Sequence, residues 1–479
     1  MCRERVPRWL AYGGAVVLAM VCAGAAMGQT TDGKSGAPAV PRISLMALAQ
    51  QSMALPSAMG ETAEASDTSG QNPSLTLTEA EQMAIKNNPH VTVARLLTLA
   101  QHQMVREARS AELPTLVGSI TAMDAADASR ISAGSLTASR LFEHAGAGGG
   151  LTQLITDFGR TSNLVAFSKL QEKAQKASAM ATTNDIAIAA DQAYFNALQA
   201  QALLRVADEN VQTRQTTDTQ VSQLTKYNLK STLDLSFADV NLSQAKLLQL
   251  DARNNVASTM AALDSVLGLD HQVNFRLLDD EQTLQAPPVD VDRLLRLALQ
   301  QRPDLVALDY AQQAAVKFSH AQRDQLFPTI SAMGSAGSVP VRPDTYFTSN
   351  WWGGVGVNVN IPIFNGFLYT AQAKEASIRA KAAAEHQRAL KDRIVRDVRT
   401  AWLTANTAYQ RVTVTQELLK EADLALNLAQ DRYRLGLSSI VELTQAQYQQ
   451  TDAAIGNANA RYQYRLALAT INYEIGVTP

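Results

Sequence analysis

Thiol is almost missing from this chain of 479 residues: its two cysteines, Cys2 and Cys22, both lie close to the N-terminus. Past them no disulfide or thiolate metal site can form. Histidine is sparse too. His90, His102, His144, His271, His320 and His386 show neither HExxH nor any other ligand spacing, so they read as surface residues and no zinc-hydrolase constellation is present. Neither sign of charge dominates: a formal net charge of -2 leaves no basic stripe to neutralise phosphates, and nucleic acid is not expected as a partner. Two glycine-rich stretches, GAGGG from Gly146 and WWGGVG from Trp351, lack GxGxxG or Walker spacing and lead into strands instead of a phosphate-binding helix N-terminus. The DFG of Asp157, Phe158 and Gly159 stands without a kinase glycine loop or catalytic loop and reads as a strand-to-helix turn. No enzyme, cofactor or metal is expected.

Long apolar runs are also lacking, with one exception. Trp9 to Met27 follows Arg3, Arg5 and Arg8 and ends in small residues, the build of a secretory signal peptide over residues 1–28. An uncleaved anchor is the competing reading. Lipid attachment at Cys22 would want Gly or Ala before it, where Val21 stands. After Met27 no run of 18 apolar residues occurs, so no spanning helix is expected. Residues 29–72 are rich in Ser, Thr, Gly, Ala and Pro and read as a flexible leader.

What the chain has is a duplication. AIKNNPHVTVARLL from Ala84 parallels ALQQRPDLVALDYA from Ala298, with Pro89 matching Pro303 and Pro114 matching Pro328 at the same offset. The period is far longer than a solenoid's, so the unit repeated is a whole helix–strand–strand–helix succession. The boundaries expected are 73–270 for the first repeat, 271–287 for a linker and 288–479 for the second.

In the first repeat Thr76 or Thr78 can cap a helix running to about Ala111. ELPTLVGSITAMDA and GGGLTQLITDF read as two strands around a Ser/Gly/Ala-rich loop. Proline-free helices follow from Gly159 to about Tyr227 and from about Leu233 to Leu267. In the second repeat FPTISAMGSAGSV is one strand. WWGGVGVNVNIPIF is the other, where Val355, Val357, Val359 and Ile361 alternate with Gly356, Asn358 and Asn360. Leu368 to Tyr433 is one helical run, with Val395, Val398, Trp402, Ala405, Tyr409, Val412, Gln416, Leu419, Asp423 and Leu426 stepping by three and four. Such a period means coiled-coil packing, interrupted at Gln416 and Asp423. The last helix does the same through Ile455, Asn459, Tyr462, Leu466, Ala469 and Tyr473.

The alternating segments have the length of a tilted membrane strand, and Trp351, Trp352, Tyr346 and Phe347 gather where an interfacial aromatic girdle would lie. In hydrocarbon every backbone polar group must be paired, so strands there must close into a barrel of about eight or more. One chain offers four. Strands in lipid therefore require several copies to share one barrel; an ordinary β-sheet remains the other reading.

LTEAEQMAIKNNP with its echo LALQQRPDL, ELPTL and LFPTI, LITDFG and IPIFNG, and DRYRLGLSSIVELTQAQ together resemble the TolC-type outer membrane efflux proteins from Leu75 to Gly476. The resemblance implies a mostly helical fold: long coiled-coil helices forming a periplasmic α-barrel, and four strands per chain in a twelve-stranded barrel of a homotrimer in outer membrane lipid. It also implies a passive exit duct served by a periplasmic adaptor and an inner membrane transporter. The turns Tyr227 to Asp234 and Tyr433 to Glu442 match the periplasmic tip. There Asp234 and Glu442 fall where acidic gate rings occur, with Gln445 replacing a second acid. Leu229, Lys230, Ser231, Arg434, Leu435, Gly436, Leu437 and Ser438 fall where an adaptor docks. Asp234 and Glu442 read equally well as helix-start carboxylates, and Arg434 and Lys230 as their ion-pair partners or as solvated charge. The alternative function is a periplasmic coiled-coil scaffold or adaptor without a barrel.

Overall fold

The computed structural model describes residues 73–124, 130–133, 136–140, 144–271, 273, 275–279, 284–339, 348 and 350–477. The expected signal peptide and leader, and the girdle residues Tyr346 and Phe347, lie outside them. Each repeat opens on a pair of helices, α1 Leu77–Asn87 and α2 Pro89–Ser110 in the first, α5 Val291–Gln301 and α6 Pro303–Asp324 in the second. The single helix expected up to Ala111 is thus two. Proline at the first position of α2 and α6 forces the preceding residue, Asn88 or Arg302, into extended backbone. Asn88 then caps α2 by accepting from the His90 amide. Thr76, not Thr78, caps α1, in a reciprocal box with Glu79.

Two long hairpins follow: α3 Arg160–Lys226 with α4 Thr232–Val266, and α7 Leu368–Arg434 with α8 Ile440–Ile475. At 67 residues each, α3 and α7 are roughly 100 Å long at 1.5 Å rise per residue. Among the described residues no helix is long and apolar enough to cross a membrane.

Strands β2 Thr115–Met123, β5 His144–Thr156, β7 Thr329–Ser338 and β8 Trp352–Asn360 form one antiparallel sheet in the order β2-β5-β7-β8. The hairpin of each repeat joins the other through β5 and β7, with Leu151 opposite Gly334. Ile361 lies one residue beyond β8, outside the ladder. Between β2 and β5, where a loop is expected, β3 Arg130–Ala133 and β4 Leu136–Arg140 make a further short hairpin. A two-residue parallel pair, β1 Ser74–Leu75 with β6 Arg276–Leu277, ties the entry of the first repeat to the segment between repeats. Strands this short leave no periodicity to read.

Cores sit where α1, α3 and α4 meet (Leu75, Ala84, Tyr194, Leu198, Leu263, Leu267) and where α5, α7 and α8 meet (Leu294, Leu295, Ile394, Val398, Ile471). Full burial of a side chain such as Leu263 contributes about 1.5–3 kcal/mol. The seam of α7 is wider than the sequence reading. Val398, Ala405, Val412, Leu419 and Leu426 face inward, Val395, Trp402 and Tyr409 pack against the core as expected, and Ile394, Ala401, Ala408, Thr415 and Ala422, each one residue earlier, join them. Small side chains there let helix axes approach closely, while Tyr409 packs on Tyr464 of α8 with ring centroids 5.3 Å apart. Trp402 packs against the core and donates its indole N–H to the Pro288 carbonyl at 2.6 Å. Gln416 is exposed and outside the seam, whereas the half-buried Asp423 accepts from Gln450 of α8 and is the polar interruption expected there. In α8 the expected positions face α3: Asn459 accepts from Gln199, and Tyr473 donates to Asp185 at 2.7 Å. Its other side, with Tyr464, Ala467 and Ile471, covers α7.

Candidate functional site

The free ends of the two helical hairpins are built alike. Tyr227 caps the end of α3 and Asn228 takes a left-handed φ of 57°; Leu435 caps the end of α7 and Gly436 takes 75°. In each turn two amides fold back on the departing helix. Asn228 and Leu229 bond to the carbonyls of Thr225 and Leu224, and Gly436 and Leu437 to those of Tyr433 and Arg432. A serine then caps the next helix, Ser231 for α4 and Ser439 for α8. Each element lies 208 positions from its counterpart, as do the exposed Leu229 and Leu437, each 68% accessible. Local sequence dictates this: a residue tolerant of positive φ, one apolar residue, then a cap.

Asp234 closes a reciprocal box with Ser231, at 3.2 and 3.1 Å, so its carboxylate serves the helix start. Glu442 pairs through Oε1 with Arg432 Nε at 3.0 Å, while its amide is capped by Ser439. Neither expected basic partner engages them. Arg434 bonds Asp431 at 2.7 Å, and the Lys230 ammonium sits 4.4 Å from the centre of the Tyr433 ring. Gln445 is exposed and Ser438 half-buried. The cation–π contact ties one turn to the other, over a small core of Val221, Ala238, Tyr433, Ile440 and Leu443. Burial and then the charge of Asp234 raise the Tyr433 hydroxyl above the usual phenol range.

One layer above lies a group that sequence reading missed. Arg214, only 7% exposed, donates to Gln447 Oε1 at 2.5 Å and to Asn210, while Gln447 donates to Thr217. Burial lowers its pKa below the usual guanidinium value, since its partners are neutral amides. The signal was there: Ala200, Ala207, Arg214 and Val221 are buried at seven-residue spacing, and arginine is the odd member. Asp218 and Asp239 form an acidic pair nearby, in which burial and then Asp239 push Asp218 upward.

At the other end, the strand sheet is bare. Every residue of β8 is exposed, with Val355 at 95%, and Trp351, Trp352, Val357, Val359 and Ile361 are exposed as well. Among the described residues β2 and β8 have one neighbour each, so both edges of the sheet are open. Among the described residues no layer covers either face of β8.

An open, uncovered sheet carried by two hairpins of such length defines a class, the protomer of an outer membrane channel in which strands and long helices form successive barrels. The chain belongs to the outer membrane efflux protein family, whose sequence profile matches residues 80–269 and 294–476. It is 24% identical to the outer membrane efflux protein BepC of Brucella suis over 376 residues, covering 78% of this chain and 79% of that protein. To the outer membrane protein TolC of Escherichia coli it is 24% identical over 426 residues, covering 84% and 82%. Among solved structures, the CmeC outer membrane channel of Campylobacter jejuni superimposes with a TM-score of 0.72 at 17% identity, covering 89% of this chain and 94% of that one.

Proposed function

We propose that this protein is the outer membrane channel subunit of a tripartite export system, a passive duct through which cargo leaves the periplasm. The observation that carries this reading is the four-stranded sheet, open at both edges and uncovered, continuous with two hairpins whose α3 and α7 are 67 residues long. Such a sheet is tolerated in lipid only as part of a closed barrel. Four strands per copy fall short of the roughly eight that closure needs, and three copies supply twelve. The subunit is accordingly a homotrimer, with β2 of one copy pairing β8 of the next. Residues 73–270 and 288–479 act as two pseudo-equivalent repeats, each giving one strand hairpin to the membrane and one helix hairpin to the periplasmic wall.

The tip turns receive a periplasmic adaptor, through the twin exposed leucines Leu229 and Leu437 with Leu435, Lys230 and Arg434 around them. Asp234 and Glu442 set the charge at the constriction, repeated three times in the trimer. Energy comes from an inner membrane transporter. Purified protein in planar bilayers tests the reading: discrete conductance steps from a detergent-extracted trimer support it. Release from membranes by salt or alkali as a water-soluble species overturns it in favour of a periplasmic scaffold. Replacing Asp234 and Glu442 together by Ala lowers cation preference; an unchanged reversal potential removes them from the constriction.

A further inference from the structure

We propose that the cleft between α1, α3 and α8 binds a hard divalent cation of the calcium class, ligated by Glu81, Asp191 and Asn184. The cleft, partly open to solvent, has a volume of about 100 Å³ and is also bordered by Asn472 and Tyr473. Asn184 is 7% exposed, and its side-chain oxygen has no hydrogen-bond partner. One carboxylate oxygen of Asp191 is equally buried and equally unpartnered. Glu81, from α1, is 7% exposed and stands close enough to share a hydrogen bond with Asp191. Two carboxylates and an amide carbonyl thus converge as acceptors. Leaving such groups buried without a donor is costly, and two buried like charges are costlier.

The surrounding charges do not answer this demand. On α3, Asp185 takes the Tyr473 hydroxyl; on α8, Glu474 takes Arg302, which also holds Asp304 in the adjoining cleft; on α1, Glu79 is bound by Thr76. The charge acting on Asp191 is that of Glu81. The second repeat fills the position of Glu81 without an acid. By the register that matches Pro89 to Pro303, the second repeat has Leu295 where the first has Glu81, packed in the core with Ile394 and Val398.

An all-oxygen set selects a hard cation over a thiophilic one, and an irregular set with an amide carbonyl suits calcium better than magnesium, which demands octahedral geometry. Carboxylate ligands bind a cation in their ionised form, so a proton shared between them is released when the cation binds.

The test is calcium titration calorimetry on the chelator-stripped full protein in detergent, in buffers of two ionisation enthalpies, with thermal melting alongside. Expected are one ion per chain, proton release, weaker heats with magnesium, and loss of binding in Asp191→Asn and Glu81→Gln. Glu81→Leu copies the second repeat and should stay folded yet give no calcium heat. A wild-type protein whose melting depends on pH but not on calcium shows a shared proton only, and overturns the proposal. Wild-type binding by Asp191→Asn does so too. Neither result touches the channel reading, which rests on the sheet.

Discussion

Gly436 and Gly476 have nearly the same backbone, φ 75° and 77°, but different surroundings, so replacing each with alanine separates conformational strain from steric strain. A left-handed alanine costs about 1–2 kcal/mol wherever it stands. At Gly436 that is the whole cost, because a Cβ there meets no atom within 4 Å. At Gly476 the Cβ falls 2.9 Å from the Arg302 nitrogen and 3.0 Å from both Arg302 Cα and Gln301 C. All three are backbone atoms at the α5–α6 junction and cannot turn aside as a side chain would. The end of α8 must lift away from that junction, adding about 1–3 kcal/mol of overpacking. Gly476→Ala should therefore exceed Gly436→Ala by at least about 1 kcal/mol, roughly fivefold in unfolding rate. Gly436→Asn should be nearly neutral, since Asn228 holds the same conformation and the same fold-back bonds in the first turn. Because membrane oligomers unfold irreversibly, the assay is the rate of thermal trimer loss in detergent, followed by gel mobility. Equal rates for the two alanine variants would refute the steric argument, and a slow Gly436→Ala beside a fast Gly436→Asn would refute the equivalence of the turns.

Three further outcomes are expected. Tyr194→Phe keeps the buried ring but removes the hydroxyl that reaches the carbonyls of Leu75 and Leu278, each at 2.8 Å, leaving Leu75 with the Leu278 amide alone, and should cost about 1–3 kcal/mol in stability, read from the denaturant midpoint. Asp191 has a folded pKa above its unfolded one, so its stabilising effect is present in acid and declines as pH rises from near 4 through about 8; in chelator, the melting temperature should fall across that window, and Asp191→Asn should flatten the profile. Val355→Arg places a cation on the apolar face of β8 and should cost about 2–4 kcal/mol at mid-bilayer, seen as lost membrane-inserted trimer, whereas Asn358→Arg on the polar face should assemble.

Much of this protein was written locally. Proline-free stretches set the four long helices, Ser231 and Ser439 their restarts, Gly436 the sharp turn, and the valine alternation in β8 an apolar and a polar face. The duplication, at an offset of 214 through the prolines and 208 through the turns, fixed the order of elements. Each of these follows from torsional preference or side-chain period, which a residue carries wherever it stands.

Tertiary structure decided what depends on which surfaces meet. The width of the α7 seam turned on Ala401, Ala408 and Ala422, whose small side chains suit either a core or a surface, so only the approach of α8 adds them to Trp402 and Tyr409. Glu442 pairs with Arg432 in place of Arg434 because the fold-back of the turn sets which arginine reaches it. Glu81 and Asp191 belong to helices joined by the whole strand hairpin, and nothing in either stretch announces the other. Contacts between distant segments are a property of packing, and packing is fixed only once every helix has found its neighbour.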